Sequence, residues 1–181
     1  MLNIYIGKFQ PFHLGHEYII NKMLDTYAIK NLIFICGSSI DNLYPFTFEE
    51  RKQMVINVLP KVKTLNLGSR IYFLENIYND NLWCKNLYNI ICSEWQSIYE
   101  TKQSNLDPSL VTIWSGSLDD ISYLNEYHLT SLFEKRILER DKIFDGLSAT
   151  KIRESKDKKF IKKYTNKLNH NMILKKLIKN N

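Results

Sequence analysis

The segment at residues 7–16, GKFQPFHLGH, constrains the fold more than any other part of this chain. It follows the apolar run at residues 4–6 and opens a helical pattern, which predicts a strand, a tight turn and a helix. The first amide groups of a helix lack internal partners and, together with the helix dipole, favour an anion there. His13 and His16 are three residues apart and can point the same way. We therefore predict a phosphate site at this turn.

The composition of the turn fits that prediction. Gly7 and Gly15 let the backbone come close to a ligand, and Pro11 stiffens the turn. The alternative is that the two histidines only cap the helix or lie on the surface.

The order of patterns along the chain indicates the fold class. Apolar runs at residues 2–6, 31–36, 70–74 and 110–115 alternate with helical patterns at about 15–28, 47–59 and 81–100. This alternation predicts a Rossmann-like, doubly wound α/β fold, in which helices flank a parallel sheet. Residues 136–139 could add a fifth strand. Ligands of such sheets bind beyond the carboxyl ends of the strands, so the loops at 7–14, 37–46, 76–81 and 115–119 should converge.

The basic charge of the chain is confined to its C-terminal part. Residues 151–181 contain eleven Lys and Arg against two acids, a net charge of +9, so the total of +6 leaves −3 for the rest. Ile161, Tyr164, Leu168 and Met172 form an apolar stripe at helical spacing among these lysines. We interpret the segment as a basic amphipathic helix packed on the domain, and a nucleic-acid or membrane patch is the alternative.

Length and composition favour a single soluble domain. The chain has 181 residues, 44% of them hydrophobic, which suits one domain at 1–181, with a core at about 1–156 and a helical extension at 157–181. No apolar run has the roughly 20 residues of a membrane span, and the chain starts with a strand, so we expect a cytoplasmic protein without a membrane partner. The cysteines, Cys36, Cys84 and Cys92, have apolar neighbours and suggest buried thiols.

A second segment, DGLSATKIRES at residues 145–155, repeats the logic of the first. A glycine break precedes Ser148 and Thr150 at a predicted helix start, and Arg153 follows one turn later. Hydroxyls can bind phosphate oxygens while a guanidinium holds them from the side. Taken alone, this pattern is an ordinary helix cap followed by an arginine.

Together the two segments resemble the H-x-G-H nucleotidyltransferase superfamily. GSSIDNLYPFTFEER at residues 37–51 and YNDNLW at 78–83 further resemble the nicotinamide-mononucleotide adenylyltransferases of the archaeal type, and most closely the branch fused to a Nudix domain. The resemblance extends over residues 3–156, and we expect no Nudix domain in this chain. A related branch carries a kinase with a Walker loop, which is missing here.

The resemblance implies a transferase of NAD biosynthesis, which moves AMP from ATP to nicotinamide mononucleotide and releases NAD and pyrophosphate. Mg²⁺ would arrive with ATP, without a metal site of the protein's own. The implied roles are catalysis for Lys8, His13, His16 and Arg153, ATP binding for Gly7, Phe9, Gly15, Ser148, Thr150 and Arg153, and mononucleotide binding for Gly37, Ser38, Ser39, Arg51, Asp80, Asn81 and Trp83. Within ATP, His16 would contact the α-phosphate and the leaving oxygen, and His13 and Lys8 would contact the polyphosphate. The β- and γ-phosphates would be held by Ser148, Thr150 and Arg153.

Trp83 is the candidate for acceptor specificity. Nicotinamide in the mononucleotide is a cationic pyridinium, and an indole face attracts such a ring. The alternative is that Trp83 only extends an apolar helix face with Leu87, Ile90 and Ile91.

The chain departs from the family pattern at Lys8, where arginine is usual, and more mildly at Leu147 and Tyr44. Lysine keeps the charge but loses the planar, two-pronged grip of arginine on phosphate. Other acceptors, such as nicotinate mononucleotide, phosphopantetheine or flavin mononucleotide, stay open, as does a non-catalytic nucleotide-binding or nucleic-acid-binding module. Homo-oligomer formation also stays open.

Overall fold

The computed structural model describes residues 1–26, 30–37, 44–59, 70–99 and 106–178. Five parallel strands form one sheet in the order β3-β2-β1-β4-β5. The strands are β1 (Leu2–Gly7), β2 (Lys30–Gly37), β3 (Ile71–Glu75), β4 (Val111–Ser115) and β5 (Glu134–Ile137). This order reverses at β1, as in doubly wound sheets, and the predicted Rossmann-like α/β fold is confirmed.

The first four strands begin and end within one residue of the predicted bounds. The fifth begins two residues earlier than predicted and ends at Ile137. Glu139 explains its end, because this residue has a φ of +39° and cannot continue an extended strand.

Helices cover both faces of the sheet. They are α1 (Leu14–Asp25), α2 (Phe48–Val58), α3 (Asp80–Tyr99), α4 (His128–Ser131), α5 (Arg140–Ile143), α6 (Ala149–Glu154), α7 (Lys158–Tyr164) and α8 (His170–Ile178), with 3₁₀ helices at Pro108–Leu110, Asp119–Glu126 and Lys167–Asn169. Alternate strand residues enter two apolar clusters. Tyr5 and Ile33 pack with α1, α2 and the C-terminal helices. Ile4 and Phe34 pack with α3 on the other face.

The start of α2 follows from its sequence. Thr47 accepts a hydrogen bond from the Glu50 N–H (3.1 Å), and the Glu50 carboxylate accepts one from the Thr47 N–H (2.8 Å). This reciprocal pair satisfies two amide groups that the helix itself leaves without partners.

The basic C-terminal segment packs on the domain, but as separate helices. Thr165 is extended (φ −125°, ψ 152°) and ends α7, so a single stripe through Leu168 and Met172 is wrong. Leu168 is 59% exposed, whereas Ile161 and Ile173 are fully buried in the cluster beside α1 and α2. Asn169 anchors the segment, because its amide donates to the Met54 carbonyl at 3.0 Å.

The buried-thiol prediction is confirmed for Cys36 and Cys84, while Cys92 is half-buried. Among the helices in the described ranges, none combines the length and apolar character needed to cross a bilayer.

Candidate active site

A cavity of about 760 Å³ lies beyond the carboxyl ends of the strands. Its walls come from the turn after β1, the loop after β3, the segment after β4 and the start of α6, so these parts of the chain converge as expected. Of the predicted site residues, the cavity is lined by Gly7, Lys8, Phe9, His13, His16, Asp80, Trp83, Ser148, Thr150 and Arg153. Ser38 and Ser39 lie outside the described residues.

The histidine pair is built into the start of α1. His13 is the N-cap, and its Nδ1 accepts a hydrogen bond from the Gly15 N–H at 3.1 Å. His16 Nδ1 accepts from the His13 N–H at 3.3 Å. The two rings stack with centroids 3.7 Å apart. Because each Nδ1 is an acceptor, each neutral ring carries its proton on Nε2 and is a donor there.

Burial keeps both imidazoles neutral. It lowers the pKa of His13 to about 3, with a smaller contribution from the positive charge of Arg140. The pKa of His16 lies well below its usual value, because of burial, then His13 and Arg140. In the described part of the chain, the His13 Nε2 atom is buried and has no hydrogen-bond partner. A buried donor of this kind needs an acceptor, and the cavity is where a ligand could supply one.

The second segment meets the first directly. Ser148 caps α6 by accepting from the Lys151 N–H at 3.2 Å. The Arg153 guanidinium donates to the Gln10 carbonyl at 2.5 Å and to the Thr150 hydroxyl at 3.1 Å. Arg153 therefore links the start of α6 to the turn after β1, 143 residues away in the chain.

Two glycines make room for other side chains. A Cβ atom on Gly7 would lie 2.4 Å from the Phe9 ring, which is fully buried against the turn. A Cβ atom on Gly15 would lie 2.6 Å from the Cδ atom of Arg140. Gly15 itself does not line the cavity. Its close approach therefore serves a protein side chain, whereas we expected a ligand.

Trp83 belongs both to the core and to the cavity wall. It is 6% exposed, lies in the apolar cluster with Leu87 and Ile91, and packs edge-to-face on Tyr123 at 4.9 Å. Asp80 lines the same cavity. The neighbouring Asn81 does not, since its amide donates to the Glu126 carbonyl at 2.7 Å.

Arg51 and Gly37 lie beside the cavity and line a small separate pocket. Arg51 is 1% exposed, and its guanidinium donates to the Lys8 carbonyl at 2.8 Å and the Cys36 carbonyl at 2.9 Å. Arg51 thus ties the turn after β1 to the end of β2 and does not line the large cavity.

Arg140 is a site residue that no sequence signal identifies. It lines the cavity, is 12% exposed and pairs with Asp120, which lies 3.4 Å away on the 3₁₀ helix after β4. Its stem passes over Gly15 and Gly116. The contact joins the start of α5 to the 3₁₀ helix at Asp119–Glu126 and depends on the folded sheet, so no local spacing encodes it.

The described His, Cys, Asp and Glu side chains of the site do not form a metal cluster. Within the described ranges, no group of three or more His, Cys, Asp or Glu side chains is arranged to hold a metal ion.

The sheet order defines a doubly wound α/β domain, and its cavity lies where ligands of such sheets bind. Comparison with known sequences makes this specific. The profile of the family described as Cytidylyltransferase-like matches residues 4–155. The chain belongs to this family.

The curated relatives include archaeal nicotinamide-nucleotide adenylyltransferases, in agreement with the resemblance drawn from the sequence. The nicotinamide-nucleotide adenylyltransferase of Archaeoglobus fulgidus is 31% identical over 99 residues, which cover 50% of this chain and 55% of that protein. Its namesake from Saccharolobus solfataricus is 40% identical over 85 residues, covering 44% and 47%. The matched stretch thus spans about half the length of these relatives. The nicotinamide/nicotinic acid mononucleotide adenylyltransferase of Acinetobacter baylyi is 25% identical over 159 residues, covering 84% and 73%.

Solved structures share the fold. A bifunctional NMN adenylyltransferase/ADP ribose pyrophosphatase from Francisella tularensis superposes with a TM-score of 0.61 and 20% identity, covering 96% of this chain and 48% of that one. A nicotinic acid mononucleotide adenylyltransferase from Plasmodium falciparum superposes with a TM-score of 0.51 and 16% identity, covering 96% and 94%.

Proposed function

We propose that the protein transfers AMP from ATP to nicotinamide mononucleotide and forms NAD and pyrophosphate. The observation that carries the proposal is one cavity lined by both the buried imidazole pair of α1 and the hydroxyl and guanidinium groups of α6. The family membership and the names of the archaeal relatives support the same activity.

The chemistry needs placement more than proton transfer. A phosphate oxygen of the mononucleotide is already ionised at neutral pH, so it attacks the α-phosphorus without a base. The bond between the α-phosphorus and the bridging oxygen breaks, and the electron pair leaves with pyrophosphate. Groups that hold the reactants in line and stabilise charge on the leaving oxygens supply the catalysis.

The side chains fit these tasks. His16, as a neutral donor, would contact the α-phosphate and the leaving oxygen, and His13 with Lys8 would contact the polyphosphate. The hydroxyls of Ser148 and Thr150 and the guanidinium of Arg153 would hold the β- and γ-phosphates. The partnerless Nε2 of His13 supports this placement, because a phosphate oxygen would satisfy it.

The acceptor would lie against Trp83. Its indole is on the cavity wall, where the face of an aromatic ring can attract a pyridinium cation, and the Asp80 carboxylate lines the same space. Nicotinate mononucleotide is the second candidate acceptor, since the Acinetobacter and Plasmodium proteins carry its name. The extra carboxylate of nicotinate makes Asp80 a less favourable neighbour for it.

We expect Mg²⁺ to enter on the phosphates of ATP and to neutralise part of their charge. A second Francisella structure is complexed with AMP and a manganese ion. For this chain we assign the metal no protein ligands.

The direct test mixes purified protein with ATP, MgCl₂ and nicotinamide mononucleotide and measures NAD with a coupled alcohol dehydrogenase assay. Pyrophosphate release should match NAD formation one for one. Parallel reactions with nicotinate mononucleotide, phosphopantetheine and flavin mononucleotide rank the acceptors. Absence of NAD above a no-enzyme control would refute the proposal, and faster pyrophosphate release with another acceptor would replace the substrate.

A further inference from the structure

The side chain of Tyr44 contacts both cations that serve the proposed triphosphate site. We propose that Tyr44 is a positioning residue, whose ring holds the charged ends of Lys8 and Arg153 in place for the triphosphate of ATP. The inference rests on the proposed function only in that ATP is the anion. Tyr44 contacts the two side chains that would bind the phosphates, and it takes no part in the bond making or breaking.

The geometry is that of two cation–π contacts on one ring. The Lys8 Nζ atom lies 5.4 Å from the centroid of the Tyr44 ring, and the Arg153 Cζ atom lies 5.2 Å from it. Cations within about 6 Å of an aromatic face are attracted by its quadrupole. All three residues line the large cavity. The ring therefore joins a cation from the turn after β1 to a cation from α6.

Hydrogen bonds to the same turn hold the three residues in register. The Gln10 side chain accepts from the Phe46 N–H at 3.0 Å and donates to the Phe46 carbonyl at 2.8 Å, which fixes the chain two residues after Tyr44. Arg51 holds the Lys8 carbonyl, and Arg153 donates to the Gln10 carbonyl. These bonds hold the segment after Tyr44, the Lys8 backbone and the Arg153 side chain at one turn. The contacts of the Tyr44 ring with Lys8 and Arg153 therefore follow from the fold.

Such a ring does two things for an anion site. Lys8 and Arg153 repel each other before a ligand arrives, and the negative ring face offsets part of that repulsion. It also restricts the long Lys8 side chain, which would otherwise lose freedom only when ATP binds, and it adds to the hydrogen bonds that already hold Arg153; preorganised groups bind more tightly. Both effects depend on the aromatic ring and not on the phenol hydroxyl.

The test compares Tyr44→Phe, which keeps the ring, with Tyr44→Leu, which removes it. Calorimetric titrations with ATP and with inorganic tripolyphosphate measure binding without catalysis, and the NAD assay gives kcat and each KM. We expect Tyr44→Leu to raise the Kd of both anions by about 5- to 30-fold, the range of one to two cation–π contacts. Tyr44→Phe should stay within about twofold of wild type, and the KM for the mononucleotide should not move.

Tyr164→Leu is the matched control. Its ring lies 4.8 Å from the Lys163 Nζ atom, so it makes the same kind of contact, but it does not line the cavity. We expect this variant to bind ATP like wild type. The Tyr44→Leu change should also be made in a Lys8→Met protein. There, removal of the ring should cost less ATP affinity than it does in wild type, because one of the two contacts is already gone.

Several outcomes would overturn the proposal. Equal losses in Tyr44→Phe and Tyr44→Leu would place the role in the hydroxyl, and wild-type binding by Tyr44→Leu would remove the role altogether. Should Tyr44→Leu fail to fold by circular dichroism, Tyr44→Met takes its place with the same expected losses. If wild type forms no NAD but binds tripolyphosphate, the proposed function fails while the titrations still decide the role of Tyr44. If wild type binds neither anion, both fail.

Discussion

The starts of α1 and α6, which both line the cavity, have similar sequence patterns, but the first is buried and the second is partly open to solvent. At α1 the site groups are buried, with His13 1% and His16 6% exposed, and their Nδ1 atoms are fixed by backbone amides. At α6 Thr150 is exposed, and Arg153 is half-buried. The buried start offers neutral, immobile donors, whereas the open start offers a hydroxyl and a full positive charge.

In the proposed reaction, this difference would separate two tasks. Groups that act on charge as it develops gain most from low dielectric and fixed geometry, which the α1 side provides. Groups that capture a charged ligand from water need access to solvent, which the α6 side provides. We therefore expect substitutions at α1 to lower kcat and substitutions at α6 to raise the KM for ATP.

The largest effect should come from His16→Ala. Loss of one donor to the transition state lowers kcat by about 10²- to 10³-fold, with a smaller change in the KM for ATP. Steady-state NAD formation measures both constants. His170→Ala removes a histidine of the C-terminal segment, whose Nε2 atom lies 3.0 Å from the Thr165 carbonyl, and serves as control. An unchanged kcat in a folded His16→Ala protein would contradict the role of the buried side.

Trp83→Leu should act on the acceptor alone. Loss of stacking should weaken the binding of nicotinamide mononucleotide by about 1–3 kcal/mol, and ATP binding should stay near wild type. Trp95→Leu is a matched control, because Trp95 lies on the same helix in the same apolar cluster, is 7% exposed and does not line the cavity. Equal losses for ATP and mononucleotide, or equal behaviour of the two variants, would make Trp83 a core residue only.

The burial of His13 at the start of α1 should also make the free energy of unfolding depend on pH. The folded protein keeps His13 neutral down to a pKa of about 3, while the unfolded chain binds a proton near pH 6.5. The unfolded state thus holds more protons between these values, so stability falls as pH drops below about 6.5. The expected loss from His13 between pH 7 and pH 5 is about 2 kcal/mol.

Urea unfolding of wild type and His13→Gln at pH 7, 6 and 5 measures this loss. The variant should be less stable at pH 7 but show a shallower fall towards pH 5, because its side chain does not titrate. Parallel curves for the two proteins would mean that His13 is not held neutral by burial.

Local sequence patterns predicted the parts of this molecule that depend on neighbours along the chain. The strands follow from apolar runs, and the start of α2 from the spacing of Thr47 and Glu50. Convergence of the loops follows from parallel topology, in which all carboxyl ends meet at one edge. These features need no knowledge of distant contacts.

Features that depend on tertiary packing were missed. Arg140 reaches the site because its stem crosses Gly15 in α1 and Gly116 in the bend after β4, which are far apart in the sequence. Arg51 was expected at the substrate, but its guanidinium is used by the Lys8 and Cys36 carbonyls. The apolar stripe at residues 161–172 has helical spacing, yet Thr165 is extended and ends α7, and Asn166 and Asn169 after it bond to α1 and α2.

The smallest effect should come from Arg153→Lys on the open side. Lysine keeps the charge but cannot donate to the Gln10 carbonyl and the Thr150 hydroxyl with one planar group, so the grip on phosphate loosens. We expect the KM for ATP to rise about fivefold, close to 1 kcal/mol, with kcat nearly unchanged. Arg136→Lys, at an arginine 40% exposed and paired with Glu134 outside the cavity, should change neither constant. A fall in kcat like that of His16→Ala would show that the open side also acts on the transition state, and the division between the two helix starts would then be wrong.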